Sequence, residues 1–299
     1  MEALSMGLFS RTPRTPKITN EEILSKVIEE TDNEDTEIEE IGTYQLTDED
    51  ISINYINKNI LSEDNKEVLN VMDIDNIPSY KYQYMDNVKI INILNYINSI
   101  GNDAFKECEN VTTINFTAPI KGLCLGNNTF ANCNKLESIN FNGSFSVIGD
   151  NCFAHCNNLK SINLSGVDTI PINAFMFNTN LSNVTITNAQ YIKSGAFMYC
   201  KSLENIKFKS CYNLLDIEAY SFSNCNLHTI TIPPTVRFID GYAFEDNFNL
   251  TDVYFEHSVN AKIELGDNIF NHCDNVIIHT NNKCIIDYCK QNRLNIDTN

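Results

Sequence analysis

A chain of 299 residues with 42% hydrophobic side chains has ample material for a core and is globular in composition. Its 21 Lys and Arg against 39 Asp and Glu, a net charge of −18, offer no basic stripe to a phosphate backbone and argue against nucleic acid as a partner. No run approaches the roughly 18 consecutive apolar residues that a membrane span needs, and 11 cysteines in so long a chain differ from the dense, even-numbered framework of small secreted domains.

The chain opens on "MEALSMGLFSRTPRTPKITN", which lacks the apolar stretch of a secretory signal. The expected location is therefore cytoplasmic, with surface display left to an unconventional route. Residues 21–50 hold thirteen Asp and Glu against the single Lys26, so most of the net charge lies there. Residues 1–50 read as a mobile, disordered acidic tail. Within it a short amphipathic helix is expected over 19–30, where Thr19 and Glu22 form a capping box and Ile23, Leu24, Val27 and Ile28 share a face. That helix either docks on a partner or on the protein itself, or is transient. Residues 51–80 combine a strand-like "ISINYI" with a helix-like "SEDNKEVLNVM", and this segment is expected to cap the apolar end of a stack of repeats that begins near residue 81.

From there the chain repeats. Phe105, Phe130, Phe153, Phe175, Phe197, Phe222, Phe244 and Phe270 recur at spacings of 25, 23, 22, 22, 25, 22 and 26, which is the signature of a solenoid. Three residues after each Phe stands Cys or Asn: Cys108, Cys133, Cys156, Asn178, Cys200, Cys225, Asn247 and Cys273. Six residues after most of these Phe comes Val111, Leu136, Leu159, Leu181, Leu203 or Leu250, and then an alternating run such as Ile114-Asn115-Phe116, which reads as one short strand per repeat. The Phe222 repeat is one residue short, with Leu227, Ile230 and Ile232 early, and the last repeat loses the pattern after Val276. A degenerate first copy fits Tyr82, Met85, Val88, Ile91 and Ile93, for about nine coils. Before each Phe, segments such as "FSVIGDNCF" predict an extended piece, a turn, and one helical turn that carries Phe inward.

The pattern in "IGNDAFKECENVTTINF" and "IDGYAFEDNFNLTDVYF" resembles the BspA-like leucine-rich repeats of bacterial and protozoan surface proteins, over about residues 80 to 297. The fold expected is an α/β repeat: a leucine-rich-repeat solenoid of one short parallel strand per coil over residues 81–280. The resemblance implies that "NNKCIIDYCKQNRLNID" closes the stack as a helix and a last strand, giving a C-terminal cap over 281–299. It also implies an adhesion or binding module without catalysis.

The residues agree with that expectation. Every residue at one frame position forms a ladder along the stack, so the Phe ladder fills the interior and the Cys/Asn ladder suits a tight bend. One thiol per coil does not converge on a metal, and His155 and His272 share a frame but lie five coils apart. Adjacent ladder thiols lie at a spacing that would also suit a disulfide. The five histidines fall on different coils, with no nucleophile placed beside a base, so no catalytic residue, metal or cofactor is expected.

The leading reading is recognition of a protein or glycan through the exposed strand face; the alternative is a structural component of a larger assembly, anchored by the N-terminal segment. Along that face the central outward position reads Asn92, Asn115, Asn140, Asn163, Thr185, Lys207, Thr231 and Tyr254. The four Asn suit a self-satisfying amide ladder. Partner contacts are expected on the later strands, at Asn183, Thr185, Asn205, Lys207, Lys209, Thr231, Asp252, Tyr254 and Glu256, where aromatic and mixed-charge side chains gather.

Overall fold

The computed structural model describes residues 67–72, 74–208 and 213–298. The acidic tail, its helix over 19–30, the first part of the segment over 51–80 and Lys209 lie outside the described residues. What is described is a parallel-stranded solenoid of about nine coils, each with a front and a back strand. The front strands are β1 (Val68–Val71), β3 (Ile90–Ile93), β5 (Thr113–Phe116), β7 (Ser138–Asn140), β9 (Ser161–Ser165), β11 (Asn183–Thr187), β13 (Asn205–Phe208), β15 (Thr229–Ile232), β17 (Asp252–Phe255) and β19 (Ile277–His279). The back strands, two residues long except for β6 and β8, are β2 (Asn76–Ile77), β4 (Ser99–Ile100), β6 (Ile120–Leu125), β8 (Gly143–Val147), β10 (Thr169–Ile170), β12 (Tyr191–Ile192), β14 (Asp216–Ile217), β16 (Phe238–Ile239) and β18 (Glu264–Leu265). Alternation sets the faces: in β3 Ile91 and Ile93 are buried while Ile90 and Asn92 point outward. The degenerate copy was legible, since Tyr82, Met85, Val88, Ile91 and Ile93 are all buried; ahead of it, β1 and β2 already pair into the stack.

The bend that carries each Phe is not a helical turn. The chain runs through successive turns in which the residues two before and two after the Phe take positive φ, as in Asp103 and Glu107, Asn128 and Asn132, or Asn151 and His155. Asn and Asp tolerate this region best among residues with a Cβ, which explains their frequency there. The left-handed residues rotate backbone N–H groups along the stack axis, so the bends bond from coil to coil. Phe105 N donates to Thr129 O (2.9 Å), Phe130 N to Cys152 O (2.8 Å) and Phe153 N to Ala174 O (2.8 Å). Inside these bends the rings from Tyr82 to Phe270 stack in one column, with centroids 5.1 to 5.6 Å apart.

The Cys/Asn position shares one role along the stack. Each side chain donates to the aromatic's carbonyl one coil back: Cys108 Sγ to Tyr82 O (3.1 Å), Cys133 to Phe105 O, Cys156 to Phe130 O and Cys200 to Phe175 O (each 3.2 Å). Asn178 Nδ2 reaches Phe153 O and its own coil's Phe175 O, both at 2.8 Å. Burial pushes the Cys152, Cys225 and Cys273 thiols up to about 12, and those of Cys133, Cys156 and Cys200 well above the ordinary value. A thiol that is buried and held protonated is a poor nucleophile. Alkylation of the native protein at pH 8, mapped by peptide mass, should therefore modify the exposed Cys284 and spare Cys133, Cys156 and Cys200 until denaturant is added. Rapid labelling of those three in the native state would contradict the buried donor role.

The sheets are not continuous. The front face divides into β1-β3-β5-β7, β9-β11-β13 and β15-β17-β19 with a last strand β20 (Asn295–Asp297); the back divides into β2-β4-β6-β8 and β10-β12-β14-β16-β18. Front and back are interrupted together at one boundary, between β7/β8 and β9/β10. Gly166, with φ of 87°, lies there so close to the preceding coil that a Cβ would meet Phe145 O at 2.9 Å. Across this junction the bends and the ring column continue, with Phe130 and Phe153 5.3 Å apart.

At the C-terminal end, helix α1 (Lys283–Asn292) replaces bend and back strand. The side chain of its N-cap, Asn282, accepts from Ile285 N and donates to Ser258 O and Ala261 O. Arg293 ends the helix in the left-handed region, and β20 returns to pair in parallel with β19.

Candidate functional site at the end of the strand face

The front face carries two different side-chain ladders. Asn92 Nδ2 donates to Asn70 Oδ1 (2.9 Å), Asn115 to Asn92 (2.8 Å) and Asn140 to Asn115 (2.7 Å), so these amides satisfy one another along the stack. The amide ladder stops at the sheet interruption, and Asn163 beyond it pairs in register with Thr185.

The later strands place the expected contact residues in two groups. Asn183 and Thr185 on β11 pair with Asn205 and Lys207 on β13. Thr231 on β15, Asp252 and Tyr254 on β17, and Glu256 just beyond belong to the next sheet, where Thr231 pairs with Tyr254.

In this second group a residue that the sequence pattern did not reveal becomes central. His279 on β19 pairs in register with Tyr254 and stacks on its ring, with centroids 4.3 Å apart and planes 13° off parallel. Its Nε2 lies 2.7 Å from Asp252 Oδ1 and its Nδ1 lies 3.0 Å from Asp297 Oδ2 on β20. Thr251 Oγ1 donates to the other Asp252 oxygen at 2.7 Å. The His279 hydrogen bond, with that of Thr251, holds the Asp252 carboxyl below its usual range. The signal for His279 lay in counting: the last coil is one residue short after Val276, and allowing for this aligns the buried Ile278 with Val253.

Beside this cluster lies a shallow depression of about 440 Å³, lined by Thr231, Tyr254, Glu256, His257, His279 and Thr280 among others. Tyr254 is 43% exposed. His257 is only 5% exposed, with Nε2 2.7 Å from Val236 O.

One other cluster brings ionisable groups together. Glu245, Asp246 and His272 on the bends could each turn a ligand atom to a common point, and all three take part in side-chain hydrogen bonds there. His272 Nδ1 lies 2.7 Å from Asp246 Oδ1, Asn224 Nδ2 donates to Asp246 Oδ2 and Asn271 Nδ2 to Glu245 Oε1. The Asp246 hydrogen bond raises the pKa of His272. His155, in the same frame, instead stacks on Phe177, which stacks on Tyr199.

One strand per front position, inward Leu, Ile and Phe, and side-chain ladders along a parallel stack together define a leucine-rich-repeat solenoid. The chain belongs to the family described as the BspA type leucine rich repeat region, whose model matches six copies over residues 75–191 and 168–297. Among solved structures, a leucine-rich repeat protein from Bacteroides ovatus is similar at 23% identity and a TM-score of 0.53, with 71% of this chain aligned to 63% of that one. The likeness thus spans less than two thirds of that relative's length. A leucine-rich repeat protein from Eubacterium ventriosum aligns at 16% identity and a TM-score of 0.47, over 74% of this chain and 75% of its own. A leucine rich cell surface protein from Faecalibacterium prausnitzii aligns at 14% and 0.40, over 72% and 82%. No curated protein matches the chain. Among the described residues no helix is long and apolar enough to cross a membrane.

Proposed function

We propose that the protein is a non-catalytic recognition module that binds a protein partner through the C-terminal part of its front strand face. The observation that carries this is the outward row Asp252 and Tyr254 on β17 and Glu256 just beyond it, set beside His279 and an open depression. A half-exposed tyrosine framed by charge is the composition of a recognition hot spot, whereas the amide ladder on the earlier coils is self-satisfied. A protein partner is favoured over a glycan by the carboxylates of Asp252 and Glu256 on either side of Tyr254, which suit a charged protein side chain.

The test replaces Lys207 and Tyr254 with Ala. The melting temperature should stay within about a degree or two, since surface changes cost at most ~0.5 kcal/mol. A partner captured by the wild type should be lost. Full retention of that partner would move the site to the back face or to the segment before residue 67.

A further inference from the structure

The depression beside Tyr254 is a place of acceptors. Asp252 and Tyr254 on β17 and Glu256 just beyond it alternate with buried Val253 and Phe255, so Tyr254 and Glu256 stand about 7 Å apart. Asp252 is engaged by His279 and Thr251, but the exposed carboxylate of Glu256 has no partner among the described residues. His257 lines the same depression. Its Nε2 faces the Val236 carbonyl, which can only accept, so Nε2 carries the proton and Nδ1 is left as a lone-pair acceptor, buried and without a partner. No Lys or Arg lines the depression. The Tyr254 ring has one face covered by His279, while the other looks towards the small Thr231 on the neighbouring strand. The plate-like ladder of His279 and Tyr254 therefore stops one plate short.

From this arrangement we infer that the depression receives an arginine side chain of a partner protein. The guanidinium supplies a flat cation that stacks on the open Tyr254 face above Thr231, extending the ladder by one plate. Its N–H groups reach Glu256 with charge-assisted hydrogen bonds. A lysine ammonium meets the carboxylate but cannot stack as a plate, and a neutral citrulline stacks without the charge. Both elements are needed, so arginine is selected over each. The inference rests on the reading that this face is the recognition surface, but its test needs no natural partner.

Full-length protein carrying ¹³C-labelled tyrosine rings is titrated with acetyl-Gly-Arg-Gly-amide and, in parallel, with the lysine and citrulline peptides. The Tyr254 signal, assigned by its loss in Tyr254→Phe, should move saturably with the arginine peptide. Binding should weaken by about tenfold for the citrulline peptide and for Glu256→Gln. Thr231→Phe, which fills the open slot, should abolish the shift while leaving the melting temperature near that of the wild type. A Tyr254 signal that arginine does not move, or moves no more than citrulline does, or moves equally in Glu256→Gln, overturns the assignment. Those outcomes leave the capture experiment with Lys207→Ala and Tyr254→Ala to report separately on whether the face binds a partner at all.

Discussion

Phe153→Ala is expected to lower the free energy of unfolding by about 3–5 kcal/mol, the range for removing a fully buried phenylalanine. Phe153 is wholly buried and its ring lies 5.3 Å from both Phe130 and Phe175. The cavity would therefore open between two neighbours rather than at an end. Because each coil is stable only against its neighbours, the loss should spread beyond one repeat. It falls just where both sheets are interrupted, so there the ring column and the bonds of the bends hold the coils without strand pairing beside them. Urea denaturation followed by circular dichroism measures the effect. An unchanged midpoint would mean that the ring column does not hold the stack.

The second large effect separates two residues that look equivalent in sequence. Asn178 and Asn247 both stand where other coils have Cys, and both donate to the phenylalanine carbonyl one coil back at 2.8 Å. Their carbonyl oxygens differ. Asn247 Oδ1 accepts from Leu227 N at 3.1 Å, whereas Asn178 Oδ1 is buried without a partner. The cause is the shortened Phe222 coil. In the coils of ordinary length the residue at the Leu position donates to the carbonyl three residues back, as Leu203 N does to Cys200 O at 2.9 Å. Leu227 arrives one residue early, and Asn247 of the next coil supplies the missing acceptor. Asn247→Cys should thus cost about 1–3 kcal/mol, the penalty for a buried N–H left unpaired. Asn178→Cys keeps the donor and removes an orphaned acceptor, so it should be neutral or stabilising. Equal losses in the two variants, measured by the same denaturation, would mean that the shortened coil does not depend on Asn247.

Much of the architecture was legible because repetition turns weak local signals into strong ones. A Phe alone says little, but eight in register imply a column, and a position restricted to Cys and Asn implies a buried side-chain donor. The expected helical turn was wrong because Asn, Asp, Tyr and His two residues on either side of Phe mark left-handed backbone, and single left-handed residues leave no trace in hydrophobic periodicity. The second strand of each coil was legible only as an extended piece before the turn, because most of these strands are two residues long and show no alternation. His279 was hidden for a different reason. A one-residue deletion after Val276 shifts the frame, and Asp297, its second carboxylate partner, comes from a strand beyond the helix, a closeness that no sequence spacing records.

The junction between β7/β8 and β9/β10 has a mechanical meaning. Where parallel strands bond across a coil boundary, a pull along the stack loads many N–H···O bonds in both sheets at once. At this boundary the bends and the rings carry most of that load. Tension applied to the ends of the stack would concentrate there, and the molecule would yield as two blocks before either block unravels. A protein held at one end while its C-terminal face grips a partner would have its weakest link far from the grip, so the blocks could part while the bond to the partner still held.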